Sequence, residues 1–132
     1  MRIIKQPGVE DSGVVTGIIE AFHQTICELV RVSGKPVSEL RVVVCITFGS
    51  VMIALAEDET RRSFVRDHLS TIPVGPAGGV PEKFRSDMLE QYEAVLSEPN
   101  DGLLATLVII IEPGRFHLGR VRVSVDGAGL PS

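Results

Sequence analysis

The chain has 132 residues, and its 17 acidic against 13 basic side chains give a formal charge of −4, without the basic excess that general binding to a nucleic-acid backbone requires. Its length bounds it to one domain, read as residues 1–126 with a flexible tail at 127–132, large enough to bury a core without covalent staples. Two cysteines, Cys27 and Cys45, lie in apolar settings and imply buried thiols rather than a disulfide framework; with no long apolar stretch in MRIIKQPGVEDSG, the expected location is cytoplasmic.

Arg2 to Lys5 reads as a short strand ended by Pro7-Gly8. Asp11 or Ser12 then caps a helix to about Val32, in which Val15, Ile18, Phe22, Ile26 and Leu29 recur at three- and four-residue spacing before Gly34 and Pro36 stop it. Gly17, costly inside a helix, is read as a point of close packing on a sheet. Leu40 to Asp58, LRVVVCITFGSVMIALAED, is dense in β-branched residues and broken by Gly49-Ser50, a pair suited to a two-residue turn, so it reads as a hairpin. That turn sets Phe48 opposite Val51, Ile46 opposite Ile53 and Val44 opposite Leu55 on a large apolar face. Arg41, Val43, Cys45 and Thr47 then meet Met52, Ala54, Ala56 and Asp58 on a mixed one. The apolar part of this segment, broken by Gly-Ser, is too short for the roughly 20 residues of a membrane-crossing helix, so no membrane association is expected.

Glu57-Asp58-Glu59-Thr60 opens a second helix to about Leu69, with Phe64, Val65 and Leu69 as its apolar side and Arg61, Arg62 and Arg66 exposed. Ile72 to Pro81, rich in proline and glycine, reads as a surface loop. Pro81 starts a third helix to about Ser97, with Phe84, Met88, Tyr92, Val95 and Leu96 facing the core. Leu103–Glu112 and Arg115–Asp126 form a second hairpin about Pro113-Gly114. Its second strand changes phase, with Phe116 and Leu118 apolar at even positions and Val121, Val123 and Val125 at odd ones. A bulge at Gly119-Arg120 would bring all five onto one face with Leu103, Ala105, Leu107, Ile109 and Ile111. The other face then collects Leu104, Thr106, Val108 and Ile110 with Arg115, His117, Arg120 and Arg122.

The order βαββααββ implies an α+β two-layer sandwich, an antiparallel sheet built from two hairpins with the helices on one face. It fits either a ferredoxin-like plait extended by one strand or a duplicated αββ unit, since Phe22 to Phe84 and Ile26 to Met88 are each spaced by 62 positions and Leu40 to Leu103 by 63. One sheet face is thereby left uncovered.

No established motif survives inspection. Gly34-Lys35 is followed by Pro36, where a phosphate-binding loop needs Ser or Thr, and Gly49-Ser50 lacks the second glycine of a nucleophile elbow. His23 and Cys27, four apart with Glu20 one turn earlier, have metal-ligand spacing on a helix. Without a second such element they read as a boundary histidine beside a core cysteine, so no metal and no cofactor is expected. Asp67-His68 points its two side chains about 100° apart and makes no dyad. The loop before Pro81, with Lys83 and Arg85, has an anion-friendly geometry but reads as a connector, and Asp87, Glu90 and Glu93 read as a solvated helix face.

The functional expectation therefore rests on the open face. Val43, Cys45, Met52, Ala54, Val108 and Ile110 form an apolar patch large enough to require a cover, which points to a non-enzymatic protein-binding or assembly domain, a homodimer or the binder of a protein partner, for instance a bacterial toxin-neutralising protein. The alternative is a dimeric α+β barrel whose paired faces enclose a small anionic molecule held by His117, Arg120 and Arg122, with or without catalysis.

Overall fold

The apolar run at 104–111 is the centre of the molecule. A computed structural model describes residues 3–5, 13–40, 42–48, 51–76, 79–98, 102–112 and 114–125, with the backbone alone described at 3–5, 13–16 and 42–48. The elements are β1 (Ile3–Lys5), α1 (Gly13–Ser33), a single 3-10 turn (Val37–Glu39), β2 (Val42–Phe48), β3 (Val51–Ala56), α2 (Glu59–Ser70), α3 (Glu82–Ser97), β4 (Leu104–Glu112) and β5 (Arg115–Val123). The expected caps at Asp11 or Ser12, the Gly49-Ser50 turn and the tail at 127–132 lie outside the described residues.

The strands form one sheet in the order β1-β5-β4-β2-β3, so both expected hairpins are present and the α+β character holds. Two features differ from expectation. β2 and β4 run parallel, with Val44 beside Leu107 and Ile46 beside Ile109, so the sheet is mixed. The helices divide between its faces: α1 covers one and α2 with α3 covers the other, giving three layers instead of two. The division follows from β4, where Leu104, Val108 and Ile110 join the α1 core, whereas Ala105, Leu107, Ile109 and Ile111 join the core beneath α2 and α3. A strand apolar on both faces needs cover on both, the usual condition of parallel pairing. Thr106, the one polar residue between Leu104 and Ile111, is fully buried and donates its hydroxyl to the Leu104 carbonyl at 3.2 Å.

The first hairpin is shifted by one residue from the expected register. Val43 faces Leu55, Cys45 faces Ile53 and Thr47 faces Val51, so the chain between the paired positions is three residues long and the partner of every residue changes. In the second hairpin the register runs unbroken from Leu104 opposite Val123 to Glu112 opposite Arg115, with no bulge. The phase change in β5 instead gives each face of the sheet its apolar residues at a different end. Val121 and Val123 meet α1, while Phe116 and Leu118 meet the α2–α3 side, where Phe116 packs on Phe84 with ring centroids 5.5 Å apart.

α1 seats Ile26 as expected, with Ile19 and Val30 buried beside it, while the expected Ile18 and Leu29 lie with Cys27 at the margins. His23 lies on the same stripe and its Nε2 is 2.9 Å from the carbonyl oxygen of Ser124, which ties α1 to the end of β5. α2 is capped by Asp58, which accepts from the Arg61 amide at 2.8 Å, and buries Val65 and Leu69. Phe64, expected in the core, is 52% exposed. α3 buries Met88, Tyr92 and Val95. Between these helices the loop is closed by its backbone: the Val80 amide donates to the Pro73 carbonyl at 2.9 Å and the Gly75 amide to the Val80 carbonyl at 3.2 Å, with Ile72 and Val80 buried.

Two glycines test this packing in opposite directions. Gly17 is exposed and a methyl group there meets nothing within 4 Å, so it is not the close contact expected of it. Gly17→Ala should raise stability by about 0.5–1 kcal/mol through helix propensity. A Cβ at Gly79 would lie 2.8 Å from both the Gly75 nitrogen and the Pro73 carbonyl oxygen, so Gly79→Ala should lower stability by about 1–3 kcal/mol. Urea unfolding of the two variants checks both signs.

Candidate functional site

The two edges of the sheet differ in chemistry. β1 has three residues and ends on Lys5, and short, lysine-bearing edges are protected from pairing with other chains. β3, VMIALA, has six residues and contains no charge and no proline. It pairs with β2 on one side, and among the described residues no backbone hydrogen bond joins it to a further segment. A row of amides and carbonyls unpaired among the described residues has the geometry of a template for another strand.

Exposure along β3 falls from one end to the other. Val51 is 47% exposed, Met52, Ile53 and Ala54 are half-buried, and Leu55 and Ala56 are buried. Ile53 and Leu55 belong to the α1 face, while Met52, Ala54 and Ala56 belong to the α2–α3 face. The edge therefore has apolar side chains on both sides of its backbone.

α2 extends this surface. It packs on β3 and α3, whereas α3 packs on β4 and β5, so α2 is the outer helix at the β3 edge. Turning 100° per residue, α2 places Arg62 and Arg66 on one flank of its buried Val65–Leu69 line and Arg61, Phe64 and His68 on the other. The first flank meets α3: the Tyr92 hydroxyl donates to the Arg62 carbonyl at 2.8 Å, and Arg66 pairs with Glu93 and lies 5.9 Å over the Tyr92 ring. The second flank looks outward past β3 and presents Phe64, with the Arg61 guanidinium 5.9 Å from its ring centre.

The residues singled out in the sequence are distributed differently from expectation. Val108 and Ile110 are buried beneath α1 and offer no surface, because α1 occupies the face that was to be open. Met52 and Ala54 lie on the β3 edge strand. Val43 and Cys45 lie on β2, and their side chains fall outside the described residues. His117, Arg120 and Arg122 are not brought together, because without a bulge alternation sends His117, opposite Ile110, to the α1 face and the two arginines, opposite Leu107 and Ala105, to the other. Arg120 donates to Gln91 Oε1 at 2.9 Å and pairs with Glu98, which also lies 3.6 Å from Arg122. This network fastens the C-terminal half of α3 to β5.

The remaining candidates are likewise engaged within the fold. His23 and Cys27 are neighbours, with Sγ 3.6 Å from Nε2, but that nitrogen also faces the Ser124 carbonyl. Arg85 donates to the Ile72 carbonyl at 3.3 Å and Lys83 pairs with Asp87 at 3.0 Å, so both cations beside the 72–81 loop brace local structure. The sequence reading missed the β3 edge. Its signal was the absence of charge and proline from both strands of the first hairpin, VVVCITF and VMIALA, one of which ends the sheet.

No helix among the described residues is long and apolar enough to cross a membrane. The chain matches no protein-family model, no curated protein and no solved structure.

The α1 cover has a direct test. Val108→Glu would put a carboxylate into a fully buried apolar cluster, so it should cost more than about 4 kcal/mol and abolish cooperative unfolding followed by circular dichroism. A variant that stayed folded would mean α1 does not seal this face. Tyr92 supplies a second test of packing. Burial pushes its phenol up to about 12, against the usual value near 10. Below pH ~10 both states keep the proton and the contribution to stability is complete. Between the two values only the unfolded chain releases it, so stability falls as pH rises through that window. As Tyr92 is the sole tyrosine and tryptophan is absent, tyrosinate absorbance reports on it alone, and the native titration should lie well above that in denaturant.

Proposed function

We propose that this protein is a non-enzymatic protein-binding or assembly domain that works by strand addition at the β3 edge. The observation that carries the reading is the contrast between the two edges: a short strand bearing Lys5 at one side, an uncharged six-residue strand at the other. Soluble proteins guard their sheet edges with charge, proline or brevity, and a long unguarded edge is a site where another strand pairs. In strand addition the backbone supplies affinity and alternate side chains supply selectivity. Here selectivity would come from Val51 and Ile53 on one face and Met52 and Ala54 on the other.

The arginines of β5 favour this reading over the anion-binding one. Arg120 and Arg122 are committed to Glu98 and Gln91, and His117 belongs to the opposite face, so the three supply no joint cation for an anion.

A synthetic peptide of the β3 sequence with lysines added at its ends for solubility should perturb the backbone amide resonances of Val51 to Ala56 and leave those of α3 unmoved. Met52→Glu, which adds a charge at the edge without touching β4, should remove the response while far-ultraviolet circular dichroism is retained. Perturbations absent from β3 at millimolar peptide, or unaltered by Met52→Glu, would refute strand addition at this edge.

A further inference from the structure

We infer that the strand added at the β3 edge is β3 of a second copy of this chain, in an antiparallel pairing about a two-fold axis, with Phe64 of each α2 packed across that axis. The inference rests on the strand-addition reading and specifies its partner.

The first support is electrostatic. A chain of net charge −4 repels its own copy in general, so a self-contact is favoured where acidic side chains are missing. β3 is such a place: any antiparallel self-pairing within Val51–Ala56 sets uncharged residues opposite uncharged residues. A two-fold axis normal to the sheet leaves each face on its own side, and strand alternation then requires a residue to pair with itself at the centre. Centred on Ile53, the pairing places Val51 opposite Leu55 and Met52 opposite Ala54. Centred on Ala54, it places Ile53 opposite Leu55 and Met52 opposite Ala56. The first is apolar from Val51 to Leu55 and the second from Met52 to Ala56, although the second brings Val51 opposite Glu57; either continues the sheet to ten strands.

The second support is area. A stable interface buries on the order of 1,200–2,000 Å² in total, which six residues of strand edge do not supply alone, so flanking elements must take part. The same axis that joins β3 to its copy keeps both α2 helices on one side of the extended sheet. Neighbouring strands lie about 4.8 Å apart and packed helices 8–10 Å, so one helix above each hairpin meets its copy at packing distance. The α2 flank facing that copy bears Phe64, 52% exposed and on the side away from α3. Val51 supplies the corresponding exposed group on the α1 face. Two of the four large apolar side chains exposed among the described residues thus border the β3 edge, one on each face of the sheet.

Sedimentation velocity over a concentration series, on the full chain and three variants, tests this. The wild type should sediment as a dimer. Met52→Glu should shift it to monomer, Phe64→Ser should weaken association about tenfold or more, and Val32→Ser, which removes an exposed apolar group from the end of α1, should leave it unchanged. A monomeric wild type at all concentrations overturns the second-copy inference, while the peptide titration still decides whether the edge accepts a strand. A dimer sensitive to Met52→Glu but indifferent to Phe64→Ser keeps the edge and overturns the helix contact. A dimer indifferent to both lies on another surface and overturns the inference. Circular dichroism on each variant separates lost association from lost fold.

Discussion

Everything in this fold depends on one strand having no wet side. From Leu104 to Ile111 the side chains of β4 are buried on both faces, with at most 6% exposure among the apolar ones. A strand in that condition cannot lie at an edge or in a two-layer sandwich, because either position leaves one face in water. Helices must flank it on both sides and strands on both edges. The chain meets this requirement by sending α1 beneath and α2 with α3 above, with β2 and β5 on its two edges. The parallel pairing of β2 with β4 follows from connectivity: β3, α2 and α3 lie between them and carry the chain back to the starting end of the sheet.

With the centre dry, polar groups are needed where the layers end. His23 reaches the Ser124 carbonyl just past β5, and Tyr92 reaches the Arg62 carbonyl between two helices. Arg120, Arg122, Glu98 and Gln91 occupy the end of the α3–β5 interface that the apolar half of β5 does not reach. Each is a side chain with an apolar body and a polar tip that closes a seam between elements, so these groups hold layers together and leave little for chemistry. The phase change in β5 has the same origin. A strand covered by a different helix on each face, at different heights, must be apolar at one end toward one helix and at the other end toward the other.

How much of this the sequence disclosed depends on which physical signal was local. The three helices, both hairpins and the acidic start of α2 were legible because charge at helix ends, turns and periodicity act over a few residues. Sheet order was not, since it is decided by which faces can be covered. The clue was present nonetheless: Leu104–Ile111 is continuous in apolar residues with a single Thr, the pattern of a strand buried on both sides, whereas reading it as an alternating strand created an open face that does not exist. The bulge at Gly119-Arg120 was a consequence of that error, introduced to gather onto one face residues that serve two. The one-residue shift in the first hairpin depends on the loop between Thr47 and Val51, and composition did not separate a two-residue connection from a three-residue one. Phe64 was misplaced because helical spacing identifies an apolar residue beside the core stripe without telling whether a neighbour covers that flank.

The candidate site emerges from the same constraint as the core. A five-stranded sheet centred on a doubly buried strand has two edges, and the two strands beside β4 are each closed on their outer side by a further strand, β1 for β5 and β3 for β2. β1 can end the sheet because it is three residues long and carries Lys5. β3 has neither property. Its inner residues, Leu55 and Ala56, are needed for the two cores, which accounts for the apolar character of that end. The cores do not account for Val51, which stands 47% exposed, or for Phe64 on the adjoining flank of α2. Folding would tolerate polar groups at both positions, and a solitary molecule would be more soluble with them. An apolar pair beside the edge that has neither charge nor brevity is the feature on which the proposed strand addition rests.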